Sequence, residues 1–185
     1  VRLFGRLSGG ILGCDTDIYG FGLSSSHYRP LWFGHVLSLR TRYEIVDRYG
    51  DSEEVPISDR LFLGGGRTLR GFDYRDVGPK VVRSLDGSGS ALYDRSVGGR
   101  SLVFASLEYT VPLIPRVRGA AFIDGGNVWR EAYEIHPDDL ACTSGIGVRF
   151  DIPGFPIRID RAWVVEPDDK FSEEDPWVLW IGYDF

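Results

Sequence analysis

The chain has 185 residues, a formal net charge of −6, 14% aromatics and 24 glycines. That length fits one domain, residues 1–185, and the acidic balance argues against nucleic acid as a partner, because phosphate binding needs clustered Lys and Arg. No run approaches the ~18 apolar residues of a membrane-spanning helix.

The predicted elements are strands. The first covers Arg2–Ser8 and looks truncated. The chain begins with Val and contains no Met, which suggests an excised piece. Ile11 to Cys14 resembles a lipoprotein cleavage box, but Arg6 and two glycines break the apolar stretch such a signal needs. The second strand runs from about Ile18 to Arg29. The third, His35 to Val46, is the clearest: Leu37, Leu39, Thr41, Tyr43 and Ile45 alternate with Ser38, Arg40, Arg42 and Glu44.

A long connection from Arg48 to Arg100 follows. Its centre, Leu61 to Pro79, is too particular for a simple turn. Leu69-Arg70-Gly71-Phe72 puts one cation between an apolar residue and a Gly-aromatic pair. That composition suits a loop folded back into a cavity, where Arg70 needs a carboxylate.

The fourth strand, Ser101 to Val111, sets Val103, Ala105, Leu107 and Tyr109 against Phe104, Ser106 and Glu108. The fifth, Gly119 to Trp129, sets Ala121 and Ile123 against Phe122 and Asp124. The sixth, Cys142 to Ile152, sets Ile146, Val148 and Phe150 against Arg149 and Asp151. The seventh, Ile157 to Val165, sets Ile157, Ile159 and Trp163 against Arg158 and Asp160. The eighth, Trp177 to Phe185, ends on an aromatic.

Connections alternate in length. Short ones carry Pro and Gly (Pro30–Gly34, Pro112–Arg116, Pro153–Pro156), and long ones are polar. This is the layout of an outer-membrane barrel with short periplasmic turns, and aromatics near strand ends fit interfacial girdles. A soluble sandwich or lipocalin-like barrel stays open, because periodicity does not distinguish inside from outside.

Other candidates are bland. Gly64 to Thr68 lacks the Lys-Ser/Thr element and following helix of a phosphate loop. His27, His35 and His136 have no metal-ligand spacing, and no nucleophilic triad is visible, so neither a metal, a cofactor nor an enzyme is expected. The acidic loops at Asp138-Asp139 and Asp168 to Asp175 could bridge cations to surface glycolipid but read more simply as solvated. Cys14 and Cys142 form neither a metal motif nor a disulfide framework, though they could pair in an oxidising compartment.

Four segments together carry a resemblance to a family. Arg60–Pro79 (RLFLGGGRTLRGFDYRDVGP), Ser106–Pro112 (SLEYTVP), Ala121–Trp129 (AFIDGGNVW) and Gly145–Ala162 (GIGVRFDIPGFPIRIDRA) resemble, in order and spacing, the C-terminal half of the β-barrel of the BamA family. These are outer-membrane assembly factors, also called the bacterial surface antigen family. The resemblance covers nearly the whole chain. One departure is Arg161, where the family more often has an aromatic and where the alternation points toward lipid.

The resemblance implies an all-β fold: a transmembrane antiparallel barrel of about sixteen strands, of which this chain holds the last eight or so, with the long extracellular loop folded into the lumen. Upstream strands and periplasmic POTRA repeats would precede it. Eight strands could close a narrow barrel, but the loop and charged inner face call for a wider lumen. The resemblance further implies that Arg70 meets Glu108 and Asp124, with Gly71 allowing close approach and Phe72 wedged at the wall. Gly182, Tyr183 and Phe185 resemble the C-terminal assembly signal of outer-membrane proteins. The implied function is folding and insertion of β-barrel proteins without covalent chemistry. Partners would be unfolded clients, outer-membrane lipid and lipopolysaccharide, and accessory lipoproteins, with the C-terminus periplasmic. A two-partner-type secretion pore and a translocation-and-assembly relative share the fold and the loop motif.

Overall fold

A computed structural model of the chain describes residues 1–10, 16–50, 52–83, 92–165 and 174–182. The alternating segments form strands β1 (Arg2–Ser8), β2 (Ile18–Pro30) and β3 (Val36–Arg48). The long connection contains three short strands, β4 (Gly71–Phe72), β5 (Lys80–Arg83) and β6 (Leu92–Ser96). Then follow β7 (Ser101–Ile114), β8 (Val117–Trp129), β9 (Ala141–Phe150), β10 (Ile157–Val164), β11 (Glu174–Asp175) and β12 (Trp177–Ile181).

The long strands make one 8-stranded sheet in the order β1-β2-β3-β7-β8-β9-β10-β12. Every neighbouring pair is antiparallel, so the sheet is an up-and-down meander. Among the described residues it is open: β1 pairs with β2 alone and β12 with β10 as its one long-strand neighbour, which corrects the expectation of a closed transmembrane barrel. The physical reason is on the inner face. An eight-stranded barrel has an interior just wide enough for side chains, and here that side must hold the folded-back loop between Leu61 and Pro79.

Period two decides the two faces. On the inner face lie Leu102, Phe104, Ser106, Phe122, Asp124, Thr143, Arg149 and Asp160, all buried. On the outer face Leu107, Ile123, Ile146, Trp163, Leu179 and Ile181 are exposed, with Leu179 at 65%. Charges sit inside and large apolar side chains outside, the reverse of a soluble barrel. Arg161 lies outside between two rings, 5.5 Å from the Trp163 centroid and 5.2 Å from that of Trp177. Those rings accommodate a cation on an otherwise apolar surface.

β7 runs beyond Pro112 to Ile114 through a register shift. The turn expected at Pro112–Arg116 shrinks to Pro115 and Arg116, with Arg116 at φ 67°. A bulge is where a strand tolerates a residue without an N–H. Cys142 carries a free thiol on β9; Cys14 lies outside the described residues.

The loop packs its apolar residues on the sheet. Isolated bridges Leu61↔Gly99 and Leu63↔Val77 close its base. Leu63, Leu69, Phe72 and Val77 join Leu102, Phe104 and Val128 in the hydrophobic core. Burial of these side chains, each contributing roughly 1.5–3 kcal/mol, holds the loop against the wall before any charge is considered.

Candidate functional site: an arginine latch on the inner wall

The tip of the loop enters the sheet at its charged inner face. Gly71 has φ +94°, a left-handed conformation, and a Cβ there would lie 3.1 Å from the Ala162 Cβ and 3.4 Å from Thr143 Cγ2. Only glycine combines that backbone with that approach. Beside it Phe72 is 3% exposed and Leu69 fully buried, so Arg70 is carried inward by apolar residues on both sides.

Arg70 is itself 2% exposed. Its Nε donates to Asp124 Oδ2 at 2.6 Å and its Nη2 to Asp124 Oδ1 at 2.7 Å, a bidentate fork. The backbone N–H of Arg70 reaches the same carboxylate at 3.4 Å. Its Nη1 donates to Glu108 Oε2 at 2.7 Å and, more weakly, to Asp160 Oδ2 at 3.4 Å, and its Nη2 to Ser106 Oγ at 3.3 Å. The guanidinium carbon lies over Phe122, 3.3 Å from the ring centroid.

A second guanidinium completes the network. Arg149 on β9 donates Nη2 to Glu108 Oε2 at 2.8 Å and Nη1 to Asp160 Oδ1. Glu108 and Asp160 therefore each have Arg149 as well as Arg70, whereas among the described residues Arg70 is the only ion-pair partner of Asp124, which is fully buried. Burial works against the charged form of Arg70. Hydrogen bonding to Asp124 and the charges of Asp124, Glu108 and Asp160 outweigh it and move the Arg70 pKa upward.

The structure thus brings Leu69, Arg70, Gly71, Phe72, Glu108 and Asp124 together. Gly182 lies elsewhere, at the short-turn end of the sheet, where its N–H donates to the Pro156 carbonyl. Tyr183 and Phe185 lie outside the described residues. Sequence reasoning placed Arg149 and Asp160 on the inner face but did not assign them to the Arg70 site, and it missed Phe122 as the floor of the site. One signal was available: Gly147 lies opposite Asp160 in register and leaves space beside Arg149. Another was the position of Phe122, on the same face two residues before Asp124.

The histidines stand apart. His35 Nδ1 pairs with the Tyr109 hydroxyl, His27 Nε2 with Ser25 Oγ and His136 with Glu134. Gly64 to Thr68 is a turn closed by its own groups, Thr68 N–H to the Gly65 carbonyl at 3.0 Å and Gly64 N–H to Thr68 Oγ1 at 3.2 Å. Nothing in this arrangement activates a nucleophile. What it can do is hold a loop tip at one position on a wall through buried charge.

Comparison with known proteins gives these features a setting. The Omp85 superfamily domain matches residues 1–185. The outer membrane protein assembly factor BamA of Nitratidesulfovibrio vulgaris is 29% identical over 171 residues, covering 86% of this chain and 20% of that protein. BamA of Neisseria meningitidis serogroup B is 28% identical over 122 residues, covering 63% of this chain and 15% of that protein. The crystal structure of BamA from Haemophilus ducreyi lacking POTRA domains 1–3 superposes with a TM-score of 0.77 at 25% identity, over 95% of this chain and 36% of that one. CdiB from Acinetobacter baumannii shares the fold, with a TM-score of 0.52 at 18% identity over 89% of this chain and 26% of that one. The chain spans about a fifth or less of the curated relatives it matches. Matched along its whole length, the chain belongs to the Omp85 superfamily, a family of non-catalytic outer-membrane β proteins.

Proposed function

We propose that this chain is the C-terminal part of an outer-membrane protein assembly factor, which folds and inserts β-barrel proteins into the outer membrane. The observation that carries the reading is the latch: Arg70 is docked on the inner wall by Asp124 and Glu108, on a sheet whose outer face is apolar and exposed. In the full-length protein an opened sheet edge would present unpaired N–H and C=O groups that can template an incoming strand. The similarity to BamA proteins across most of the chain supports the same reading.

On this reading the exposed apolar outer face meets membrane lipid and lipopolysaccharide. The unfolded client and accessory lipoproteins are the protein partners. The C-terminus is periplasmic, because Gly182 lies beside the short turn at Pro156 and short turns face the periplasm in outer-membrane barrels. Gly182, Tyr183 and Phe185 serve as the chain's own assembly signal. A polypeptide-secretion pore is the alternative that the likeness to CdiB leaves standing, on fold alone.

The test is reconstitution of the full-length protein in liposomes with an unfolded outer-membrane barrel as client. Faster client folding than in empty liposomes, reduced in Arg70→Ala, supports the assembly factor. No acceleration, together with release of a dedicated exported polypeptide from cells, would replace it with the secretion pore.

A further inference from the structure

The loop that carries Arg70 touches the sheet at a second place, away from the latch. Beyond the acidic network it reaches the inner face of β12, the last strand in the order of the sheet. The Arg67 guanidinium lies over the Trp180 ring, 4.7 Å from its centroid. Gly66 is packed so closely on Val178 that a Cβ at position 66 would overlap the Val178 side chain. Val178 and Trp180 are the inward, half-buried residues of β12, while Trp177, Leu179 and Ile181 are exposed outside. The backbone just before β12 is tied to the same loop. Glu174 and Asp175 pair antiparallel with Phe72 and Gly71, and the Pro176 carbonyl accepts from the Ala162 N–H.

We infer that Arg67 and Gly66 form a brace that positions β12, with Trp180 as its receiving surface, so that the loop sets the alignment of this strand. The reasoning is mechanical. Among the described residues the ladder between β10 and β12 joins only Ile157–Arg161 to Trp177–Ile181, shorter than the ladders between the long strands, and a strand held by a short ladder opens at lower free energy. Trp180 gains from the contact because its Nε1 is buried without a hydrogen-bond partner. On this face its π surface lies under Arg67, an exposed residue, so the attraction is that of a cation–π contact at an exposed site. A Cβ at position 66 would lie 2.4 Å from Val178 Cγ1, so a side chain there forces Val178 or the loop to move. Arg67 and Trp180 are thus positioning residues for β12, and their significance for client pairing rests on the assembly-factor reading.

The test reads the strand and not the activity, so it stands whether or not the protein inserts clients. Hydrogen–deuterium exchange is followed in the full-length protein in lipid nanodiscs, without client, for peptides covering β12 and for peptides covering β7, β8 and β9. Arg67→Ala should speed exchange in β12 about fivefold and leave β7 to β9 unchanged, the size expected for loss of one cation–π contact. Arg67→Lys, which keeps a cation over the ring, should return β12 close to the wild-type rate. Trp180→Leu should match Arg67→Ala, and the double variant should add little to either. Unchanged β12 exchange in both single variants would overturn the brace. So would equal acceleration in all strands, because the contact would then support the sheet as a whole and not β12.

Discussion

Replacing Arg70 separates two kinds of loss. Asp124 is fully buried, and Arg70 is its only ion-pair partner among the described residues, through two bonds of 2.6 and 2.7 Å. Removing the guanidinium strands that carboxylate, at about 3–5 kcal/mol for an uncompensated buried charge. Glu108 loses a bond of 2.7 Å but keeps Arg149 at 2.8 Å, so its loss is that of one charge-assisted hydrogen bond, about 1.5–3 kcal/mol before the remaining partner tightens. Double-mutant cycles tell these apart. The coupling between Arg70→Ala and Asp124→Ala should be about 3 kcal/mol, and that between Arg70→Ala and Glu108→Ala about 1 kcal/mol. The assay is reversible urea unfolding of the full-length protein in lipid, followed by tryptophan fluorescence. A larger coupling to Glu108 than to Asp124, or both near zero, would refute the assignment of Asp124 as the anchor of the latch.

Further outcomes follow from the same geometry. Arg149→Ala should destabilise the fold by about 2–4 kcal/mol, since Asp160 is left with one contact of 3.4 Å to Arg70; urea unfolding measures it, and an effect below that of an exposed-arginine control would contradict the network. Gly71→Ala should cost about 2 kcal/mol or more through its φ of +94° and the 3.1 Å approach to Ala162, and should expose the loop to protease added from outside; a loop as resistant as wild type would count against the close approach. Ile123→Arg places a charge on the exposed apolar face and should cost about 2–4 kcal/mol in lipid, while Arg118→Ala near the short-turn end should cost little. Equal effects would show that the outer face does not meet hydrocarbon. Replacing the pair as Arg70→Met with Asp124→Leu should keep stability within about 1–2 kcal/mol of wild type, because apolar pairs substitute well for buried ion pairs, yet lower client insertion; full activity would remove the guanidinium from the mechanism.

The sheet was legible in the sequence because each strand carries its own period. β3 sets Leu39, Tyr43 and Ile45 against Arg40, Arg42 and Glu44 with no help from neighbours, and the eight segments read this way are the eight strands of the sheet. Closure was legible only in part. The loop and the charged inner face argued for a lumen wider than eight strands enclose, but no single-strand pattern records the space taken by Leu63, Leu69 and Phe72. Alternation likewise puts Arg149 and Asp160 on the inner face but says nothing of reach. Arg149 crosses a whole strand, from β9 over β8 to Glu108 on β7, and that span comes from side-chain length and sheet curvature. The contact of Arg67 with Trp180 is further beyond reach, because it joins a turn residue to a strand more than a hundred positions away.

An ionic latch is a costly way to hold a loop that already buries Leu69 and Phe72. Its use lies in what it forbids. Apolar residues pack acceptably in several neighbouring positions, whereas a guanidinium that must satisfy Asp124, Glu108 and Asp160 over the Phe122 ring has one position. A shift of the loop by one residue along the wall would bury Asp124 without a partner. The latch therefore makes docking close to all-or-none, and the brace carries that position outward. With Arg70 seated, Gly66 meets Val178 and Arg67 lies over Trp180; the proposed brace implies that withdrawing Arg70 would lose both contacts together. A buried charge network at the centre of the wall would in this way be tied to the position of β12, through a stretch of loop no longer than Gly66 to Arg70.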